Sequence, residues 1–330
     1  MEADPRSYVS TGSLPPAERV QAAVEEAHRR FATLDDGAVS AVYPALERVD
    51  PGLWGLCVAT ADGRSFAAGD AGHPFTIMSV SKPFVFALVC AAIGPAVLRE
   101  KVGVNATGYA FNSVAGVERS PDGRTNPMVN AGAIATTSLV PGADAAAKWR
   151  FLHEGLSRFA GRSLPMNGEV LDSARRTNHR NRALASFLRS VGAIYAEPME
   201  AVDLYTMQCS LDVTARDLAV MGATLADGGV NPLTGERVVS PADCHHALAV
   251  MTIAGMYETS GDWLYEVGLP GKSGIGGGIV TVAPGKGALG TFSPRLDAAG
   301  NSVRGQAAAR HLSVALGLDI LASEPVGASA

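Results

Sequence analysis

MSVSKPF, residues 78–84, runs directly into VFALVCAAIGPAVL (85–98), the most apolar stretch of the chain. A lysine and two serines set against such a run have two readings. In one, Ser79 caps a helix and Lys82 carries its charge out to solvent. In the other, Ser79 is a nucleophile with a buried lysine beside it. Positions i and i+3 share a helix face, so Ser79 and Lys82 can meet, whereas Ser81 lies about 200° round from Ser79. Burial would favour the neutral amine of Lys82 and turn it toward a general base. A serine at a helix start also has N–H groups and the helix dipole to favour developing negative charge. S-x-x-K by itself does not decide between the two.

Around this stretch, the composition bounds what the chain can be. It has 330 residues, 47% hydrophobic and 18% charged, with a formal net charge of −5. That is a globular chain with a large core, in one or two domains. No basic stripe is present, so nucleic acid is not an expected partner. The run from Phe84 to Leu98 is broken by Gly94 and Pro95; it falls short of the roughly 20 residues that span a bilayer and reads as a buried helix, with no membrane partner. The opening MEADPRSYVS has no apolar stretch and is not expected to be a secretory signal. Cys57, Cys90, Cys209 and Cys244 are widely spaced and form no C-x-x-C pair, which predicts free thiols in a reducing cytoplasm.

The order of elements predicts the architecture. Residues 1–15 read as a flexible tail, followed by an amphipathic helix whose apolar face is Val20, Val24, Ala27 and Phe31. LWGLCVAT (53–60) and RSFAAG flank Asp62-Gly63 as a β-hairpin. From about residue 76 the patterns are mostly helical, including 180–194 and 214–229, the latter stopped by Gly228-Gly229. GGGIVTVAPG (276–285) and ALGTFSP (288–294) read as a second hairpin, and 304–321 as a closing helix. The expectation is a mixed α/β (α+β) domain from 16–75 and 255–330, with a central, mainly antiparallel sheet flanked by helices, and a mainly helical subdomain from 76–254 that carries Ser79. A site belongs in the cleft between them.

A second motif bears on Ser79. Lys272-Ser273-Gly274 precedes the glycine-rich strand, and enzymes with an S-x-x-K serine place a K-[ST]-G strand opposite it. A phosphate loop would need glycine at 266, where Glu266 stands. His153-Glu154 lacks the second histidine of H-E-x-x-H, Ser157 taking its place, so a metal site is not expected. Tyr43, Asn130, Asn181, Tyr205 and Tyr257 sit in quiet contexts and, taken singly, read as structural residues.

Together these segments resemble the serine-dependent glutaminase family, whose fold is of the β-lactamase and penicillin-binding-protein type. The resemblance runs from about Val39 to Gly305 through YPALERVDPGLWGLCVATADG, GDAGHPFTIMSVSKPF, NPMVNAGAI, RNRAL, YTMQCSLDVTARDLAVMGATLADGGVNPLTGERVVSP, GMYETSGDW, VGLPGKSGIGGGI and SPRLDAAGNSVRG. It implies hydrolysis of L-glutamine to L-glutamate and ammonia without a cofactor, by a cytoplasmic homodimer or homotetramer. Ser79 inherits the nucleophile's role and Lys82 the base's, with Tyr257 beside them as a proton relay. Substrate contacts fall on Tyr43, Ser79, Asn130, Asn181, Tyr205 and Tyr257, and the N–H groups of Ile275 and Ser79 form the oxyanion hole.

One departure matters. The family's glutamate for the substrate α-amino group stands seven residues before the RNRA asparagine, and that position here is Ala174. Asp172 and Glu169 are the nearby carboxylates that could replace it. Met78, usually glutamine, and VNATG (104–108), usually E-P-S-G, are smaller departures. Ala174 motivates an alternative: a glutaminase-like protein with weakened or altered specificity, or a ligand-binding role. The shared S-x-x-K and K-S-G elements motivate a third reading, a penicillin-recognising acylase.

Overall fold

A computed structural model describes residues 13–120 and 122–323; the expected tail lies, as far as residue 12, outside the described residues. The first hairpin forms as the Asp-Gly signal predicts. β1 (Gly55–Thr60) and β2 (Ser65–Gly69) pair antiparallel around a turn in which Gly63 adopts φ 87°. The second hairpin joins β6 (Gly278–Ala283) to β7 (Gly287–Phe292), after a short β5 (Gly271–Ser273). The two hairpins share one five-stranded antiparallel sheet of order β2-β1-β7-β6-β5. The last strand in sequence therefore sits in the middle, between β1 and β6.

Both sheet faces are covered, so the strands alternate between two cores rather than between core and solvent. Leu56, Val58, Ile279 and Leu289 face the helices Ala17–Phe31 and Val303–Ala315, which contribute Val20, Val24, Ala27 and Leu312. Cys57, Ala59, Val280 and Val282 face the opposite core, where helix Ala215–Ala226 brings Leu218 and Met221. Two glycines allow that close approach. A Cβ at Gly290 would lie 2.1 Å from the carbonyl oxygen of Ala215, and one at Gly222 would lie 2.5 Å from the Cβ of Ala288.

The apolar run becomes helix Ser81–Ile93, buried on every side over its first ten residues and ended by Gly94 at φ 89°. Phe84 packs on Phe159 of helix Ala145–Ala160, with ring centroids 5.1 Å apart. No helix among the described residues is long and apolar enough to cross a membrane. The closing helix is shorter than the apolar pattern predicts: it stops at Ala315 rather than continuing to 321. Gly317, at φ 62°, ends it, with Gly317 N–H donating to Val314 O and Leu318 N–H to Ser313 O. That paired C-terminal closure outweighs the apolar pattern of LGLDIL.

Candidate active site

The chain enters the site through β3 (Phe75–Thr76), which pairs with β4 (Asp212–Val213), and turns through a 3-10 turn, Met78–Val80, into helix 81–93. Met78 adopts φ 48° and Tyr257 φ 57°; among the described residues no other non-glycine residue has positive φ. A left-handed backbone costs a branched or bulky residue about 1–3 kcal/mol, and both instances flank one side chain, Ser79. Ser79 is 6% exposed. Ser81, as its angular position predicts, turns away: its hydroxyl donates to Met78 O at 2.8 Å and braces the turn.

Lys82 is 2% exposed. Its Nζ donates to Met128 O at 3.1 Å and to Asn130 Oδ1 at 2.8 Å, and among the described residues no carboxylate pairs with it. Burial lowers its pKa from 10.5 to about 7. A neutral amine has two N–H bonds and one lone pair. Both observed acceptors use the N–H bonds, which leaves the lone pair directed elsewhere, one helical turn from Ser79.

Asn130 opens helix Asn130–Thr137 and ties the remaining polar groups together. Its Oδ1 also accepts from Tyr205 Oη at 3.2 Å, and its Nδ2 donates to Asn181 Oδ1 at 3.0 Å. Asn181 and Tyr43 line the same pocket. Burial pushes the phenols of Tyr43, Tyr205 and Tyr257 up, so all three keep their protons at neutral pH. Tyr257 Oη donates to Ser273 O at 3.1 Å, and the nearby Ser79 hydroxyl partly offsets the upward push of burial on its phenol. Tyr257 can thus accept a proton from the serine side only by giving one up elsewhere, which is relay chemistry and not that of a base.

The glycine-rich turn after β5 closes the site. A Cβ on Gly274 would lie 3.0 Å from Ile77 O and 3.3 Å from Ser79 N, and one on Gly276 would lie 2.6 Å from Thr76 O. The glycines therefore let this turn abut the serine turn itself. Within it, Gly274 N–H donates to Gly278 O and Gly277 N–H to Gly274 O, and neither bond uses the N–H of Ile275. Ile275 lines the same pocket as Ser79, Tyr43, Asn130, Asn181 and Tyr205.

Every site residue expected from the sequence thus lies in or beside one pocket. Three further contributors had weak signals or none. Lys272, flagged only as part of K-S-G, is fully buried; Nζ donates to Gly255 O and Ser273 O and lies 4.4 Å from the centre of the Tyr257 ring. Phe111 packs on Tyr257 with ring centroids 4.5 Å apart, and its carbonyl accepts from Asn130 N–H at 2.7 Å. Nothing in the local pattern around either Phe111 or Asn178 marks it as a site residue.

Ala174 lies on the wall of this pocket, 2% exposed. Neither carboxylate suggested as its replacement reaches in: Glu169 pairs with Arg48 away from the pocket, and Asp172 is exposed. Among the described residues none on the pocket wall is acidic, and Arg180 is the one charged residue that lines it.

The family model described as Glutaminase matches residues 37–321. The chain is 65% identical over 318 residues to Glutaminase 2 of Yersinia pestis, covering 96% of this chain and 94% of that protein. It is 50% identical over 302 residues to the glutaminase of Mycobacterium ulcerans (strain Agy99), covering 92% and 94% respectively. Among solved structures, the probable glutaminase ybaS superposes with a TM-score of 0.91 at 42% identity, over 93% of this chain and 99% of that one. The glutamate form of Mglu superposes at 0.85 and 38% identity, over 92% and 70%.

Proposed function

The chain belongs to the glutaminase family, a hydrolase of the glutamine side-chain amide with a β-lactamase-like fold, and from that premise we propose that Ser79 and Lys82 carry out the reaction. The neutral amine of Lys82 takes the Ser79 proton, and Oγ attacks the carboxamide carbon of L-glutamine. The N–H groups of Ser79 and Ile275 hold the oxyanion. As the tetrahedral intermediate collapses, the C–N bond breaks and the leaving nitrogen takes the proton from Lys82, with Tyr257 as relay. Water then attacks the γ-glutamyl ester, Lys82 takes its proton, Ser79 Oγ leaves as the alcohol, and L-glutamate is released. Chain, substrate and water supply every atom and proton, so no cofactor enters. Tyr43, Asn130, Asn181, Tyr205 and Tyr257 bind the substrate.

The observation that carries this reading is the buried Lys82, with both N–H bonds of its neutral form engaged and its pKa near 7. Its test is ammonia release from L-glutamine. Ser79→Ala should reduce turnover by at least about 10³-fold while calorimetry still detects glutamine binding; unchanged turnover would remove Ser79 from the reaction. Identity of 65% to a glutaminase does not favour the alternative of a ligand-binding protein without turnover.

We further propose a homodimer or homotetramer in the cytoplasm, which a light-scattering mass and cell fractionation would check. The family resemblance supports the assembly, and four buried free thiols support a reducing compartment. The division into a mixed α/β domain and a helical subdomain belongs to the same proposal. Ile275 comes from the first, and Ser79, Asn130 and Asn181 from the second.

A further inference from the structure

In a trans peptide the carbonyl of one residue and the N–H of the next share a rigid plane and point in opposite directions. The Met78 carbonyl and the Ser79 N–H are such a pair. Whatever fixes Met78 O therefore fixes the direction of the Ser79 N–H. Ser81 fixes it twice, through its backbone N–H and through its hydroxyl, which lies at 2.8 Å.

That hydroxyl has no better acceptor. Ser81 is fully buried. Its other polar neighbours are Gln208 Nε2 at 3.5 Å, which has no lone pair to offer, and Cys209 Sγ at 3.9 Å, a weak acceptor. Gln208 is itself held by Thr137 Oγ1, 3.1 Å from its Oε1. The single hydroxyl proton goes to Met78 O, and a hydrogen bond on a carbonyl polarises the peptide, making its N–H a better donor. The plane held in this way follows the left-handed backbone of Met78, at φ 48°. Among the described residues the Ser79 N–H donates to no acceptor. It lies beside the turn that carries Ile275: a Cβ on Gly274 would stand 3.3 Å from Ser79 N, and Ser79 and Ile275 line one pocket.

We propose that Ser81 is a positioning residue for the oxyanion hole. Its hydroxyl holds and polarises the Met78–Ser79 peptide, so that the Ser79 N–H is set before the substrate oxygen becomes negative. This deepens the reading of Ser79 N–H as an oxyanion donor and rests on it. Ser81 touches no substrate and moves no proton in the reaction.

The test compares the wild-type enzyme with Ser81→Ala and Ser81→Cys. Ammonia release from L-glutamine gives kcat and KM, and inhibition by 2-amino-4-boronobutanoate reports on the oxyanion hole. That inhibitor carries boron in place of the amide carbon. Ser79 Oγ adds to boron as its proton passes to Lys82, and the tetrahedral adduct bears a boron-bound oxygen where the oxyanion forms. Ser81→Ala should lower kcat and weaken boronate inhibition, each by about tenfold, with KM for glutamine within about twofold of the wild type. Ser81→Cys, which keeps a weak donor, should fall between. Thermal unfolding shows which variants are folded, and if the alanine variant is not, the cysteine variant decides alone. In folded protein, kcat and boronate inhibition matching the wild type overturn the assignment, as does KM rising as much as the boronate constant, since that is a general disturbance of the pocket. Both results leave Ser79 and Lys82 in place. Wild-type enzyme that releases no ammonia from L-glutamine overturns the glutaminase reading, and the assignment with it.

Discussion

Asn130→Asp puts a carboxylate where an amide oxygen now accepts from Lys82, 2.8 Å from Nζ. Two unit charges at that separation attract by about 1.5 kcal/mol if screened as in bulk water, and by about 6 kcal/mol at an effective dielectric constant of about 20. At 1.36 kcal/mol per pKa unit, this raises the Lys82 pKa by roughly one to four units. The wild-type group titrates near 7, so kcat/KM should rise with pH through a limb centred there, as the amine loses its proton. In Asn130→Asp the limb should move to pH 8 or above. At pH 7 the share of neutral Lys82 then falls from about a half to about a tenth or less, and activity returns as the pH is raised. Asn130 also binds Asn181 and lines the pocket, so the absolute rate will fall for other reasons. The measurement is therefore the midpoint of the acid limb of kcat/KM, read by ammonia release from about pH 5.5 to 10 on folded protein. A limb that stays within about 0.3 units of the wild type would refute Lys82 as the titrating base.

Two further outcomes follow from the same geometry. Between pH 7 and 10.5 the unfolded chain holds a Lys82 proton that the folded chain lacks, so this residue makes wild-type stability rise with pH across that window. Below pH 7 the full penalty applies, on the order of 5 kcal/mol. Lys82→Met removes it and leaves two acceptors unpaired, so the urea-denaturation stability of the variant relative to wild type should decline by about 1.4 kcal/mol per pH unit from 7 to 10.5; a pH-independent difference would mean that the lysine is not buried as its neutral form. Gly274→Ala introduces a Cβ 3.0 Å from Ile77 O and 3.3 Å from Ser79 N, pressing on the serine turn. It should lower kcat by about tenfold or more with a smaller change in KM, and steady-state kinetics matching the wild type would show that the turn can yield without disturbing Ser79.

What could be read from the sequence was local. Asp62-Gly63 and the Pro-Gly-Lys-Gly segment announced two hairpins, and i,i+3 spacing put Ser79 and Lys82 on one turn. Strand order was not readable, because nothing in β7 states that it will lie against β1, more than 200 residues earlier in the chain. Nor was the helix end at Ala315, where Gly317 closes the backbone although the apolar pattern continues. Around the serine, only resemblance pointed to Asn130, Asn181, Tyr205 and Tyr257 as a set, since they come together from widely separated segments. The left-handed backbones of Met78 and Tyr257 had no sequence signal, because neither residue type prefers that conformation. The glycine-rich stretch after Lys272 was legible as a strand signal, but not that its glycines bring backbone against the serine turn.

The placement of β7 also bears on how the chain is made. A ribosome delivers β1 and β2 early, yet the strand that joins them to β6 and β5 is completed only at Phe292. Until then the first hairpin has no inner neighbour, and the Ser79 turn has no glycine-rich turn beside it. Two-stranded ribbons alone are marginal in water, so until β7 arrives this hairpin leans on the helix Ala17–Phe31 packed against it. A chain cut short before β7 would have every residue proposed to act on glutamine and no complete sheet to hold them together.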